Sequence, residues 1–146
     1  MNQFEANKEV VRRYVDAFNR ADFNELRTIF AEDAVVQGVL GTGGMDKVIS
    51  IWRELHTAFG IQLTVEEMIA EADFVAVRYT ERGTFRGPFQ GHPPTGRSFE
   101  LVAMEWFAVQ EGRIQRRWGA RDAASQAQRF RTTFLKLRSG LMVSGF

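Results

Sequence analysis

The sequence predicts an α+β domain in which three N-terminal helices pack on one face of a curved, antiparallel or mixed β-sheet. Two observations support this fold class. Up to Phe59 the apolar residues recur at spacings of three and four, as along one side of a helix. From Gln62 onward they alternate with polar residues, as in strands with one covered face. Helices that precede a run of strands are typical of α+β domains.

The first predicted helix runs from Gln3 to Arg20 and is amphipathic. Its apolar stripe consists of Val10, Val11, Tyr14, Val15, Ala17 and Phe18. Asp22 is the expected N-cap of a second, shorter helix that ends at Phe30. A glycine-rich connection leads into a third helix, from about Met45 to Phe59. That helix carries His56 on the same side as its apolar stripe of Val48, Ile51, Trp52, Leu55 and Phe59.

The remainder of the chain is predicted to form the sheet. We expect a short strand at Ala34–Gln37 and four long strands at Gln62–Ala70, Phe74–Phe85, Phe99–Val109 and Arg113–Ala120. Glu111-Gly112 is a hairpin signal between the last two strands. The connection from Gly83 to Phe99 contains four glycines and three prolines, which favours an ordered lid over a tight hairpin. We expect this lid at the mouth of a pocket.

The strand Phe99–Val109 is apolar on both of its faces. One face carries Phe99, Leu101, Ala103, Glu105, Phe107 and Val109, and the other carries Val102, Met104, Trp106 and Ala108. Helices cover only one face of such a sheet, so the second face needs another cover. We expect a second copy of the chain there, which predicts a homodimer joined through the sheet.

The composition predicts one globular domain over residues 1–146, with its core over about 8–131. A net charge of +1 gives no field that would attract nucleic acid or an acidic membrane, so we expect neither partner. The absence of cysteine excludes a disulfide framework, a thiolate nucleophile and a cysteine-bound zinc. It fits a cytoplasmic location, as does an N-terminus without the pattern of a signal peptide.

The C-terminal region is predicted to begin with a helix after Asp122. Alanine and glutamine dominate its first turns, and the helix could extend to Arg138. The apolar, glycine-containing segment 139–146 is expected to be a flexible tail or a cover for the pocket mouth.

Four segments of the sequence resemble the SnoaL-like polyketide cyclases of the nuclear-transport-factor-like superfamily. They are Phe30–Val36 with Asp33, Ala72–Thr80, the Pro-Pro-Thr-Gly-Arg element within Gly91–Arg97, and Phe107–Ile114 followed by Trp118. The resemblance extends from Glu9 to about Arg129. It implies a cone-shaped α+β barrel with a deep apolar cavity, usually a dimer. It also implies a metal-free and cofactor-free intramolecular aldol condensation of a polyketide ester.

Such a ring closure needs a base that removes a proton from carbon and a donor that stabilises the resulting enolate. Glu105 is a candidate base because it lies on the face expected to be covered, where apolar surroundings would raise its pKa. The alternative is an internal ion pair with an arginine such as Arg78 or Arg116. Asp122 is the second candidate, since the family's acid/base aspartate lies near the end of the last strand. Its alternative role is to cap the following helix.

The expected pocket wall consists of Tyr14, Gln37, Trp52, His56 and Trp118. Gln37 stands where many members of the family carry a histidine, which implies hydrogen bonding without proton transfer. The alternative role of Tyr14, Trp52, His56 and Trp118 is in the hydrophobic core. Only two histidines are present, far apart in sequence, so we expect no metal site. A non-catalytic module that binds a small molecule or a protein partner is the alternative function, and a small hydrolase or dehydratase is a third.

Overall fold

The computed structural model describes residues 2–38 and 41–122 and confirms the three predicted helices and the four long strands. The helices are α1 (Gln3–Asn19), α2 (Phe23–Ile29) and α3 (Met45–Phe59). The strands are β1 (Phe30–Gly38), β2 (Gly41–Gly43), β3 (Gln62–Glu71), β4 (Phe74–Thr84), β5 (Ser98–Gln110) and β6 (Arg113–Arg121). The first strand is longer than predicted, and β2 was not predicted. The predicted C-terminal helix and the tail lie outside the described residues.

The helix ends follow local chemistry. The Asp22 carboxylate accepts the backbone N–H of Glu25 at 3.0 Å, which confirms the predicted N-cap of α2. Phe30 has extended backbone, so α2 ends one residue earlier than predicted and β1 follows at once. At the end of α3, Gly60 adopts the left-handed conformation and its N–H donates to the carbonyl of His56. In the described part of the chain, no helix is both long and apolar enough to span a membrane.

The six strands form one mixed sheet in the order β2-β1-β6-β5-β4-β3. Strands β3 to β6 form an antiparallel meander, while β1 runs parallel to β6. Glu111 and Gly112 both have positive φ, which confirms a tight hairpin between β5 and β6. The three helices and this sheet confirm the predicted α+β class.

The three helices pack on one face of the sheet, here called the covered face, and none of the helices among the described residues lies on the opposite, open face. The inward residues of β5 are the predicted ones, from Phe99 through Glu105 to Val109. On the open face, Met104 is 54% exposed and Trp106 is 49% exposed. The sheet is therefore apolar on both faces, as predicted. The cover of the open face by a second copy stays a prediction.

A β-bulge in β6 reverses the side-chain alternation of that strand. Val109 pairs with Ile114, whereas the preceding Ala108 pairs with Arg116, so Gln115 is the extra residue. Consequently both Ile114 and Arg117 are buried, although they are three residues apart. Beyond the bulge the odd-numbered residues of β6 face the helices, and the even-numbered ones face outward.

The long connection between β4 and β5 is ordered and attached to the end of α3. Phe85 and Phe89 are buried, with ring centroids 4.7 Å and 5.2 Å from that of Phe59. The backbone N–H groups of Arg86 and Gly87 both donate to the carbonyl of Ala58. The connection thus closes one end of the hydrophobic core, and its role as a lid over a pocket stays a prediction.

Candidate functional site

The centre of the covered face holds the carboxylate of Glu105, which is 2% exposed. The hydroxyl of Tyr14, on α1, donates to Glu105 Oε1 at 3.0 Å. Arg121 Nη2 donates to Glu105 Oε2 at 3.0 Å, and Arg117 Nη1 lies 3.1 Å from the same oxygen. Both arginines lie on β6, the strand next to β5. The bulge at Gln115 is what turns them toward Glu105.

A second carboxylate extends this group. Arg121 also donates to Glu81 Oε1, from Nε at 3.3 Å and from Nη2 at 3.0 Å. The Tyr79 hydroxyl lies close enough to Glu105 for the carboxylate to raise its pKa, but without the geometry of a direct hydrogen bond. We call Tyr14, Tyr79, Glu81, Glu105, Arg117 and Arg121 the buried cluster. With two carboxylates and two guanidinium groups, its formal charges balance.

The cluster fixes the protonation of its members. Burial alone would raise the pKa of Glu105, but the positive charges of Arg117 and Arg121 outweigh burial and lower it. Burial, and then the negative charge of Glu105, raises the pKa values of Tyr14 and Tyr79. For Arg121, burial is outweighed by Glu81 and Glu105, and its pKa is raised. At neutral pH the cluster therefore contains an ionised Glu105, a charged Arg121 and two protonated tyrosines.

Aromatic side chains surround one side of the cluster. The Tyr14 ring contacts four others at centroid distances of 5.2–6.2 Å, namely those of Phe18, Phe30, Trp52 and Phe107. Trp52 has no exposed surface. These rings exclude water from the charged groups, which strengthens the electrostatic interactions among them.

Of the seven predicted site residues, the structure brings Tyr14, Trp52 and Glu105 together. His56 is half-buried between Phe18 and Phe23, where burial lowers its pKa and favours the neutral ring. The other three lie elsewhere. Gln37 is exposed, Trp118 lies beside it on the open face, and Asp122 is exposed at the end of β6. The backbone N–H of Asp122 donates to the carbonyl of Val102.

The predicted internal ion pair of Glu105 with arginine is confirmed, but the two arginines named as examples are not its partners. Arg78 lies on the open face and pairs with Glu67 at 3.3 Å, while Arg116 lies over the ring of Trp118 at 4.9 Å. The arginines that pair with Glu105 are instead Arg117 and Arg121, whose side chains lie on the covered face of β6. The prediction also missed Tyr79 and Glu81, although the alternation in β4 that buries Val75 and Val77 places both on the covered face.

The open face carries a separate cavity of about 490 Å³. Its wall is mainly apolar and includes Ile69, Ala76, Arg78, Met104, Trp106 and Trp118. The carboxylate of Glu105 points to the opposite side of the sheet, toward Tyr14 on α1. Glu105 and Gly119 also line this cavity, so the cavity and the buried cluster lie on opposite sides of the same part of the sheet. Within residues 2–38 and 41–122, no three histidine or acidic side chains converge as metal ligands would.

Comparison with known proteins places the fold in a family. The chain is 28% identical to IdmH of Streptomyces antibioticus, a candidate polyketide cyclase, with a TM-score of 0.76 over 85% of this chain and 97% of that one. AclR of Streptomyces galilaeus, a candidate hydroxylase, is 24% identical with a TM-score of 0.79, over 89% and 98% of the two chains. An LEH-like epoxide hydrolase of M. tuberculosis is 16% identical with a TM-score of 0.75, over 93% and 97%.

No curated protein matches the chain. The family model of the SnoaL-like polyketide cyclases matches residues 8–129, which is most of the sequence. The resemblance noted from the sequence is thereby confirmed, and the chain belongs to the SnoaL-like polyketide cyclase family.

Proposed function

We propose that this protein is a cofactor-independent acid/base catalyst of the aldol cyclase or isomerase type, acting on a small, apolar, polyketide-like molecule. The observation that carries this proposal is the buried cluster itself. Two carboxylates, two guanidinium groups and two phenols meet beside an aromatic wall, where burying charged groups costs free energy. Membership of the family supports the substrate class.

The cluster supplies the two functions that an aldol closure needs. Glu105 is ionised at neutral pH and is therefore in the form that accepts a proton from an activated carbon. The protonated hydroxyl of Tyr14 and the guanidinium groups can donate hydrogen bonds to an enolate or alkoxide oxygen. Asp122 is the second proposed base, at the end of β6 and one residue after Arg121. Trp52 would contribute to the wall, and Gln37, His56 and Trp118 stay predicted ligand contacts.

Turnover by carboxylate variants tests this proposal. We expect the wild-type protein to cyclise a linear poly-β-ketone methyl ester. Liquid chromatography with mass spectrometry measures the rate at which the cyclic product forms. Glu105→Gln or Asp122→Asn, or both, should lower the rate by about 10²–10⁴-fold, as loss of a general base does. Glu100→Gln is the control, because Glu100 forms an exposed pair with Arg82 outside the cluster. Full activity in both variants would show that neither Glu105 nor Asp122 is the base.

A non-catalytic binding module is the second candidate function. The observation that favours it is the charge balance of the cluster, since a carboxylate whose pKa is lowered by two arginines is typical of a structural ion-pair network. In that case the same ester would raise the melting temperature of the wild-type protein without being converted. The turnover assay and the melting measurement therefore distinguish the two functions.

We further propose that a second copy of the chain covers the open face and forms a homodimer. Supporting this, Val102, Met104 and Trp106 form a continuous exposed stripe on β5, and the ring of Phe74 contacts Trp106 at 5.8 Å. We expect a dimer in sedimentation velocity, and a monomer after Trp106→Glu. Phe4→Glu is the matched control, since Phe4 is similarly exposed but lies on α1. A monomeric wild type, or a dimeric Trp106→Glu variant, would contradict the proposal.

A further inference from the structure

Two guanidinium groups of the buried cluster meet above a single glycine. A methyl group added at Gly119 would lie 2.7 Å from Arg117 Nη1 and 2.9 Å from Arg121 Nη1, closer than side chains approach one another. Because Gly119 has no side chain, the two guanidinium groups can occupy the space beside its Cα. It also pairs across the sheet with Glu105, so the carboxylate lies next to the same place.

Most of the N–H donors of these two guanidinium groups have no acceptor among the described residues. Arg117 has no exposed surface, and its Nε, Nη1 and Nη2 make no hydrogen bond to any described group. The contact of Nη1 with Glu105 is an ion pair without hydrogen-bond geometry. Nη1 of Arg121 is likewise without an acceptor among the described residues. A buried donor left unpaired costs about 1–3 kcal/mol, so several together on charged groups call for an acceptor.

That acceptor is not another acidic side chain of this chain. The segments outside the described residues, at 1, 39–40 and 123–146, contain no aspartate or glutamate. Every aspartate and glutamate therefore lies in the described part, and none of them accepts a hydrogen bond from these four nitrogen atoms. Charge-assisted donors bind anionic oxygens most strongly, and the planar guanidinium fork suits an anion that presents two oxygens in one plane.

We propose that Arg117 and Arg121 form an oxyanion-binding site for the enolate of a 1,3-dicarbonyl group. This inference rests on the proposed function and deepens it, because it assigns the recognition of the ionised substrate to two residues. A 1,3-dicarbonyl enolate is planar and presents two oxygens that share one negative charge, as the fork requires. Stabilising this anion lowers the pKa of the carbon acid, so the base that removes its proton can be weak. Glu105, with its lowered pKa, is such a base.

The test uses a 1,3-dicarbonyl that cannot cyclise, 1-phenylbutane-1,3-dione. At a pH below its own pKa, we expect the wild-type protein to produce a saturable increase in enolate absorbance. Because Arg117 is fully buried, neighbouring side chains must move to admit the probe, and we expect association well below the diffusion limit. Arg117→Lys keeps the charge but loses the fork, and should weaken enolate binding by about tenfold or more.

Arg82→Lys is the matched control, because Arg82 is exposed and pairs with Glu100. It should bind the enolate as the wild type does. Absence of the enolate signal in the wild type, or equal affinity in Arg117→Lys and wild type, would overturn the inference. Failure of the proposed function looks different. If the protein stabilises the enolate but converts no polyketide ester, the oxyanion site is present and the proposed cyclase activity is wrong. If it converts the ester without stabilising the enolate, the cyclase activity is present and the oxyanion site is wrong.

Discussion

Replacing Glu105 by alanine is expected to destabilise the folded protein by about 3–5 kcal/mol, the usual cost of removing one partner of a buried ion pair. Glu105 accepts hydrogen bonds from Tyr14 and Arg121 and forms an ion pair with Arg117. Tyr14 and Arg117 are buried, and the side chain of Arg121 is only 3% exposed. Without Glu105, the buried guanidinium of Arg117 has no carboxylate within ion-pair distance among the described residues. Urea denaturation at neutral pH measures the loss.

The matched control is Glu100→Ala, which removes a carboxylate from an exposed pair on the same strand. Exposed pairs contribute little, so we expect no measurable change. If Glu105→Ala were as stable as Glu100→Ala, the buried ion pairs would have no role in holding the fold.

The lowered pKa of Glu105 predicts a pH dependence of stability, which a second variant, Glu105→Gln, tests. Because the pKa of Glu105 is lowered in the folded state, the unfolded chain binds its proton more readily. The stabilisation by Glu105 is therefore fully present above the pKa of an unfolded glutamate, roughly 4.3. It is lost as the pH falls through the lower, folded value. The stability difference between the wild type and Glu105→Gln should shrink correspondingly in acid.

The second large effect is expected for Trp52→Ala, which should destabilise the protein by about 3–5 kcal/mol. Trp52 is fully buried, and its ring lies 5.8 Å from those of both Phe18 and Phe30. Its removal leaves a cavity that neighbouring side chains fill only in part. Urea denaturation of Trp52→Ala, with the exposed Phe4→Ala as the control, measures this effect. A loss below about 1 kcal/mol would indicate an open cavity wall in place of a packed core.

Much of the fold could be predicted because its determinants are local in sequence. The third helix matches the prediction from Met45 to Phe59, since the apolar stripe runs without interruption to the glycine that ends it. Strand β5 alternates regularly from Ser98 to Ala108, and this regularity places Glu105 on the covered face, as predicted. Burial follows from such periodicity whenever a strand contains no bulge.

The composition of the site was less predictable because it depends on one irregularity and on pairing across strands. Counting by twos from the buried Ile114 turns Arg116 and Trp118 inward, and the bulge at Gln115 reverses that result. The placement of Gly119 opposite Glu105 joins residues far apart in the chain, which no local pattern reveals. For these reasons Arg117 was not recognised as a partner of Glu105, and Trp118 lies in the wall of the open-face cavity, on the opposite side of the sheet from the cluster.

The most direct test of the buried cluster is the ionisation of Glu105 in the wild-type protein, measured by ¹³C NMR titration of its side-chain carboxyl group. We expect the group to titrate below the ordinary range of a glutamate and to remain ionised at neutral pH, because Arg117 and Arg121 hold its charged form. Titration near neutrality would contradict this. It would show that burial alone sets the pKa of Glu105 and that Arg117 and Arg121, on which the proposed oxyanion site depends, do not hold its charged form.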